Sequence, residues 1–145
     1  MNSEIDGVVC LPIVTIPDDR GMVIKTVFPP FIEDVYVTTV RHGAIKAWHG
    51  YQTKTIYWTV VKGLVQLVLY DNRKKSDTYK VTETFYLGEG SYYTISVPPM
   101  VFNGFKGISQ DDAIILVQAN EPYGQIYRMP YDSGEIGYDW SAHNG

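Results

Sequence analysis

Short runs of β-branched and aromatic residues, separated by Gly, Pro, Asn and Asp, make up most of the chain, and no stretch sustains apolar positions at helical spacing. That pattern predicts an all-β sandwich or barrel. Val8–Ile16 reads as a first strand, and Pro12 inside it suits an edge or swapped position better than a central one. The turn formers Pro17-Asp18-Asp19-Arg20-Gly21 lead into a second run, Met22–Phe28, which Pro29-Pro30 breaks. Asp34–Arg41 is a third run, and Ala44–His49 a fourth after the Gly43 turn.

Thr53–Val61 and Leu64–Tyr70, joined at Lys62-Gly63, carry the clearest hairpin signal. Both are apolar on two faces, as expected of strands that pack inward and also against a second sheet. Asp71–Asp77 reads as a polar loop. Tyr79, Val81 and Phe85 then alternate with Lys80, Thr82 and Thr84, the pattern of a half-exposed strand. Gly88-Glu89-Gly90 turns into Ser91–Val97, which ends at Pro98-Pro99. Ala113–Ala119 is the most apolar run and predicts a central strand. From Asn120 to Gly145 there is little periodicity. With no internal repeat and no Gly- or Ser-rich linker, residues 1–145 predict one domain, long enough to bury a core without a disulfide or structural metal.

Composition narrows the function. A formal net charge of −4 argues against a general nucleic-acid binder, and Arg73-Lys74-Lys75, between the turn formers Asn72 and Ser76, reads as a solvated loop tip. The single Cys10 has no partner for an internal disulfide and suits a reducing cytosol. No apolar run is long enough to span a bilayer, and the N-terminus lacks the pattern of a signal peptide. A soluble cytoplasmic protein is the expectation. The chemistry concentrates in Gly43–Gln52, where His49 ends a strand-like run three residues after Lys46, with aromatic rings on either side. A neutral imidazole in a semi-apolar wall exchanges protons near pH 7, and a neighbouring cation holds an anionic substrate.

Several stretches together resemble the dTDP-4-dehydrorhamnose 3,5-epimerase family of cofactor-free cupins acting on nucleotide sugars. Asp19-Arg20-Gly21 resembles the family's Asp-x-Arg-Gly turn. Gly43–His49 resembles its Gly-Val-Leu-Arg-Gly-Leu-His segment, with lysine at the arginine position. Asp71–Thr78 is similar to its Asp-Leu-Arg-x-x-Ser-x-Thr loop. Val97–Phe105 with Ile108-Ser109 looks like its Ile-Pro-x-Gly-Phe-Ala-His-Gly-Phe and Leu-Ser, and Ile136–Trp140 like its Ile-Gly-Ile-Asp-Trp. Five matches in order, from Asp19 to Trp140, make the resemblance specific. It implies a double-stranded β-helix (cupin jelly-roll) barrel, a homodimer formed through N-terminal strands, and a nucleotide-diphospho-4-keto-6-deoxy sugar as substrate. It also implies a reaction that removes a proton next to the ketone, passes through an enolate and returns a proton to the opposite face.

The resemblance assigns His49 as the catalytic base, whereas position alone favours a structural histidine bonded within the barrel. Arg20 and Lys46 match diphosphate contacts. Gln52 stands one residue later than the glutamine of the family's His-x-Gln. The family lysine that stabilises the enolate falls on Ile56, and Lys54, two residues earlier, is the candidate substitute by strand alternation. Tyr123 matches a tyrosine near the nucleotide. The departures are substantial: the proton-returning tyrosine aligns with Val117, a second histidine aligns with Asn103, and the aspartate that orients the base has no counterpart in the 145 residues. Tyr51, Tyr57 and Tyr127 are alternative acids, each also explicable as sheet packing. His42, His49 and His143 lack the spacing of a cupin metal site, and Asn103 stands where its last ligand would be, so no metal and no cofactor are expected. Three readings follow: an epimerase or isomerase inverting one centre, a sugar-nucleotide-binding cupin without turnover, and a 3,4-ketoisomerase, whose relatives carry a denser histidine cluster.

Overall fold

The computed structural model describes residues 1–142. It is all-β, with twelve strands: β1 Val9–Pro12, β2 Val14–Asp18, β3 Gly21–Lys25, β4 Asp34–Val40, β5 Ile45–Tyr51, β6 Ile56–Lys62, β7 Leu64–Asp71, β8 Thr82–Gly88, β9 Tyr93–Val97, β10 Val101–Gly107, β11 Ala113–Ala119 and β12 Ile126–Arg128. Two five-stranded sheets, ordered β1-β9-β6-β11-β4 and β12-β5-β10-β7-β8, face each other, and β2 with β3 forms a separate ribbon. Every ladder pairs antiparallel strands. This is the cupin jelly-roll.

The main core fills the space between the sheets. Trp58, Ile95 and Ile115 from one sheet meet Leu67, Leu69 and Phe105 from the other, all at most 5 % exposed. The Trp58 and Phe105 rings lie edge to face, 4.6 Å between centroids.

Four expectations need correction. Lys62-Gly63 is not a hairpin: β6 pairs with β9 and β11, while β7 pairs with β10 and β8. Gly63, at φ 81°, carries the chain from one sheet to the other at a corner where a Cβ would stand 3.0 Å from Ala113. A two-residue local signal does not distinguish a hairpin from such a crossing. The second apolar face of β7 is covered not by a sheet but by the C-terminal segment read as aperiodic. Trp140, Tyr138 and Ile136 lie over Trp48, Val68, Tyr70 and Phe102, and Tyr138 Oη accepts from Gln66 Nε2 at 2.8 Å. The run Val8–Ile16 divides into β1, an edge strand, and β2, in the ribbon. Arg73 is not a solvated loop tip. Its Nε and Nη2 donate to the fully buried Asp71 carboxylate at 2.8 and 2.9 Å.

Candidate active site

Between the two sheets, near the β12 and β4 edges, opens a cavity of about 280 Å³ that His49, Lys46, Asn103 and Val117 all line. Directly paired residues in an antiparallel ladder point to the same face, so the registers explain this set. On one wall a row runs Arg128, His49, Asn103 across β12, β5 and β10. On the facing wall a row runs Tyr36, Val117, Trp58 across β4, β11 and β6. Trp58 and Phe105 close the floor.

Lys46 and His49 are three residues apart, which would put them on opposite faces of a regular strand. The β5–β10 ladder slips by one residue: Asn103 pairs with His49, but Gly104 pairs with Ala47. Trp48 is left over as the bulged residue and turns to the outer face, fully buried against Trp140 with ring centroids 5.3 Å apart. The bulge restores both Lys46 and His49 to the cavity side. Gly104 makes room for it, since a Cβ there would stand 2.6 Å from Ala47 Cβ. Behind the imidazole, Asn103 Nδ2 donates to the His49 carbonyl at 3.2 Å, so this buried side chain fixes the strand.

Two cations line this cavity and, among the described residues, no carboxylate does, although the chain is acidic. Lys46 Nζ donates to the Thr39 carbonyl at 2.7 Å and so reaches across to β4. The His49 imidazole is half-buried, and its ring nitrogens have no hydrogen-bond partner among the described residues. Burial first, then the positive Arg128 and Lys46, lower it below the ordinary imidazole value. The ring is therefore neutral at pH 7 and open to a ligand. Facing it, Tyr36 is raised above the ordinary phenol value by burial and by Tyr51, whose hydroxyl interacts with its own.

The other expected site residues lie elsewhere. Lys54 precedes β6, so the strand alternation that would align it with the buried Ile56 does not reach it. Its Nζ stands 5.0 Å from the centroid of the Tyr51 ring, one ring removed from the cavity. Arg20, at the tip of the β2–β3 ribbon, pairs with Asp18 at 2.5 Å and lines a separate shallow hollow. Gln52 is exposed beyond the end of β5, and Tyr123 is 84 % exposed. Tyr57 and Tyr127 line other hollows, while Tyr51 lines this one.

Among the described residues no three His, Cys, Asp or Glu side chains cluster. His42 Nδ1 donates to the Ile108 and Ser109 carbonyls at 3.1 and 3.0 Å, and His143 lies outside the described residues. Among those residues no helix is long and apolar enough to cross a membrane.

Sequence reasoning missed Arg128, Tyr36, Thr38, Trp58, Phe105 and Ile126 as cavity residues. Tyr36 and Thr38 share one face of a legible strand, but nothing local says that this face looks at His49.

Comparison with known proteins identifies the family and agrees with the fold. Residues 2–144 match the dTDP-4-dehydrorhamnose 3,5-epimerase family. The probable low-salt glycan biosynthesis epimerase Agl13 of Haloferax volcanii is 30 % identical over 112 residues, covering 74 % of this chain and 72 % of that protein. The spore coat polysaccharide biosynthesis protein SpsL of Bacillus subtilis is 29 % identical over 104 residues, 69 % of each chain. The crystal structure of a dTDP sugar isomerase from Desulfovibrio desulfuricans superposes with a TM-score of 0.90 at 26 % identity, over 97 % of this chain and 94 % of that one. With a jelly-roll, a histidine opening into its interior and a match along nearly the whole sequence, the chain belongs to the dTDP-4-dehydrorhamnose 3,5-epimerase family.

Proposed function

We propose that the protein is an epimerase of a nucleotide-diphospho-4-keto-6-deoxy sugar, with His49 as the base that removes the proton next to the ketone. One observation carries this reading: a neutral imidazole opens into a cavity that two cations and, among the described residues, no carboxylate line. The cavity lies at the small end of ligand-pocket volumes, which suits a sugar ring inside with the diphosphate at the mouth. There the exposed heads of Lys46 and Arg128 meet it. Charge-assisted hydrogen bonds of this kind contribute about 1.5–3 kcal/mol each. Lys54 stands one ring further out, and Gln52 and Tyr123 are at the surface, where the nucleotide would extend.

A homodimer belongs to this reading. The β2–β3 ribbon exposes Val14, Ile16, Met22 and Val23, and a second copy is the occupant that would cover them. Arg20 would then work at the partner's cavity mouth rather than its own. The lone Cys10 fits a reducing cytosol as the place of action.

The test is proton exchange. In D2O, a nucleotide-diphospho-4-keto-6-deoxy sugar should gain deuterium at C3 or C5, and His49→Ala should slow this by at least about 10²-fold. Undiminished exchange in the alanine variant would remove His49 from the mechanism. A binding protein without turnover is the second reading, favoured by Val117 at the expected acid position and by an imidazole with no orienting partner among the described residues. It requires nucleotide sugars to raise the melting temperature with no exchange at any sugar carbon.

A further inference from the structure

Inversion of a carbon centre needs a base on one face of the sugar and a proton donor on the other. The family tyrosine expected to donate falls on Val117, which has no acidic proton. Yet Val117 is paired across the β11–β4 ladder with Tyr36, so the two side chains lie side by side on the same face. Both line the cavity. His49 sits on β5 of the opposing sheet.

Elimination points the same way. Arg128 lies beside the base on β12 and approaches from its wall, Lys46 Nζ crosses the cavity but is held by the Thr39 carbonyl of β4, and the Tyr51 hydroxyl meets that of Tyr36. On the facing wall the lining residues are Tyr36, Thr38, Trp58 and Val117. Of these, only Tyr36 carries a phenol, a side chain that serves as a general acid.

We propose that Tyr36 is the residue that returns the proton, standing one strand over from the position the family uses, with Tyr51 as its relay. This deepens the epimerase reading and rests on it. In the step, His49 takes the proton from the carbon next to the ketone. The C–H electron pair becomes the C=C bond of the enolate, and the carbonyl π pair moves to oxygen. The carbonyl then re-forms, and the carbon takes the Tyr36 hydroxyl proton on the opposite face, leaving a tyrosinate. Tyr51 passes a proton to that tyrosinate and is resupplied by solvent, while the imidazolium gives its proton to solvent. The net change is inversion alone, with no oxidant or co-reactant.

The experiment follows dTDP-4-keto-6-deoxyglucose in D2O by NMR, reading deuterium uptake and epimer formation separately. In Tyr36→Phe, epimer formation should fall by about 10² or more while KM stays within about threefold. Uptake should continue near the wild-type rate, because His49 still takes and returns hydrons on its own face. Adding Val117→Tyr to Tyr36→Phe should recover at least about tenfold of the inversion, which a purely structural role for Tyr36 would not allow. Inversion within about threefold of wild type in Tyr36→Phe overturns the proposal, and so does a parallel loss of uptake and inversion at unchanged melting temperature. A wild-type protein that neither exchanges nor inverts removes the epimerase reading itself, and this proposal with it.

Discussion

Replacing Gly104 by alanine tests whether the β5 bulge is what assembles the site. A Cβ at residue 104 would lie 2.6 Å from Ala47 Cβ, 3.0 Å from Trp48 Cε3 and 3.1 Å from Trp140 Cζ2. Carbon atoms in good contact sit at about 3.5–4.0 Å, so β5 and β10 must part by about 1 Å. The neighbours cannot swing aside, because one is a Cβ fixed to its strand and the others are rings in a packed cluster. Overpacking costs about 1–3 kcal/mol, and this geometry belongs in the upper half of that range. For a chain of this size each kcal/mol shifts the melting temperature by about 2–4 °C, giving a fall of about 4–12 °C by calorimetry. Moving the His49 strand by that much should also lower kcat by up to about 10²-fold. Gly134→Ala is the control, since nothing lies within 4 Å of its Cβ position. Adding Ala47→Gly to Gly104→Ala removes the worst contact and should recover part of the loss, a coupling that marks direct contact. A Gly104→Ala protein melting within about 1 °C of wild type would refute the account of the bulge.

Two further substitutions probe the charges. With the His49 pKa lowered, the neutral base persists below pH 6.5, so the acid limb of kcat/KM should lie on the acid side of that value. Arg128→Met removes one of the positive neighbours, so the limb should move to higher pH while KM for the nucleotide sugar rises about tenfold or more. An unmoved limb would separate Arg128 from the base. Asp71 accepts from Arg73 Nε at 2.8 Å and from the Ser76 and Thr78 hydroxyls at 2.7 Å each. Burial alone would raise its carboxyl, but the bonds from Arg73, Thr78 and Ser76 outweigh it and hold the group well below the usual carboxylate range. That stabilisation is complete above the unfolded value of about 3.9 and is lost as pH falls below it. Asp71→Asn should therefore cost about 3–5 kcal/mol at pH 7, and the gap to wild type in urea melts should narrow below pH 4. A gap that stays constant across that range would disconnect Asp71 from acid stability.

What was legible in the chain follows from how local the physics is. The runs that became β4, β9 and β11 were readable because their apolar residues recur at strand spacing without interruption. β10 was not read as a strand, because Gly104 and Gly107 break its pattern. The glycines are there for close backbone approach, and a Cβ at Gly107 would stand 2.3 Å from the Arg41 carbonyl oxygen. The C-terminal cover had a faint signal in the alternation of Ile136, Tyr138 and Trp140, which lie on the outer face of the second sheet. His49, Lys46 and Asn103 were placed together by matched motifs, and the cavity holds all three. Arg128 and Tyr36 were missed because each becomes a neighbour of the site only through a ladder between distant segments.

The single surplus residue in β5 acts as a reading frame. Substitutions on the outer side of that strand alter only what packs there, but deleting or inserting one residue between Ile45 and His49 would swap inside for outside and expel either the lysine or the imidazole. Tolerance of this segment to mutation should therefore be asymmetric: an exchange disturbs packing locally, whereas a change of length dismantles the site. Any transplant of the Lys–His pair onto another barrel would have to carry its tryptophan and the facing glycine along.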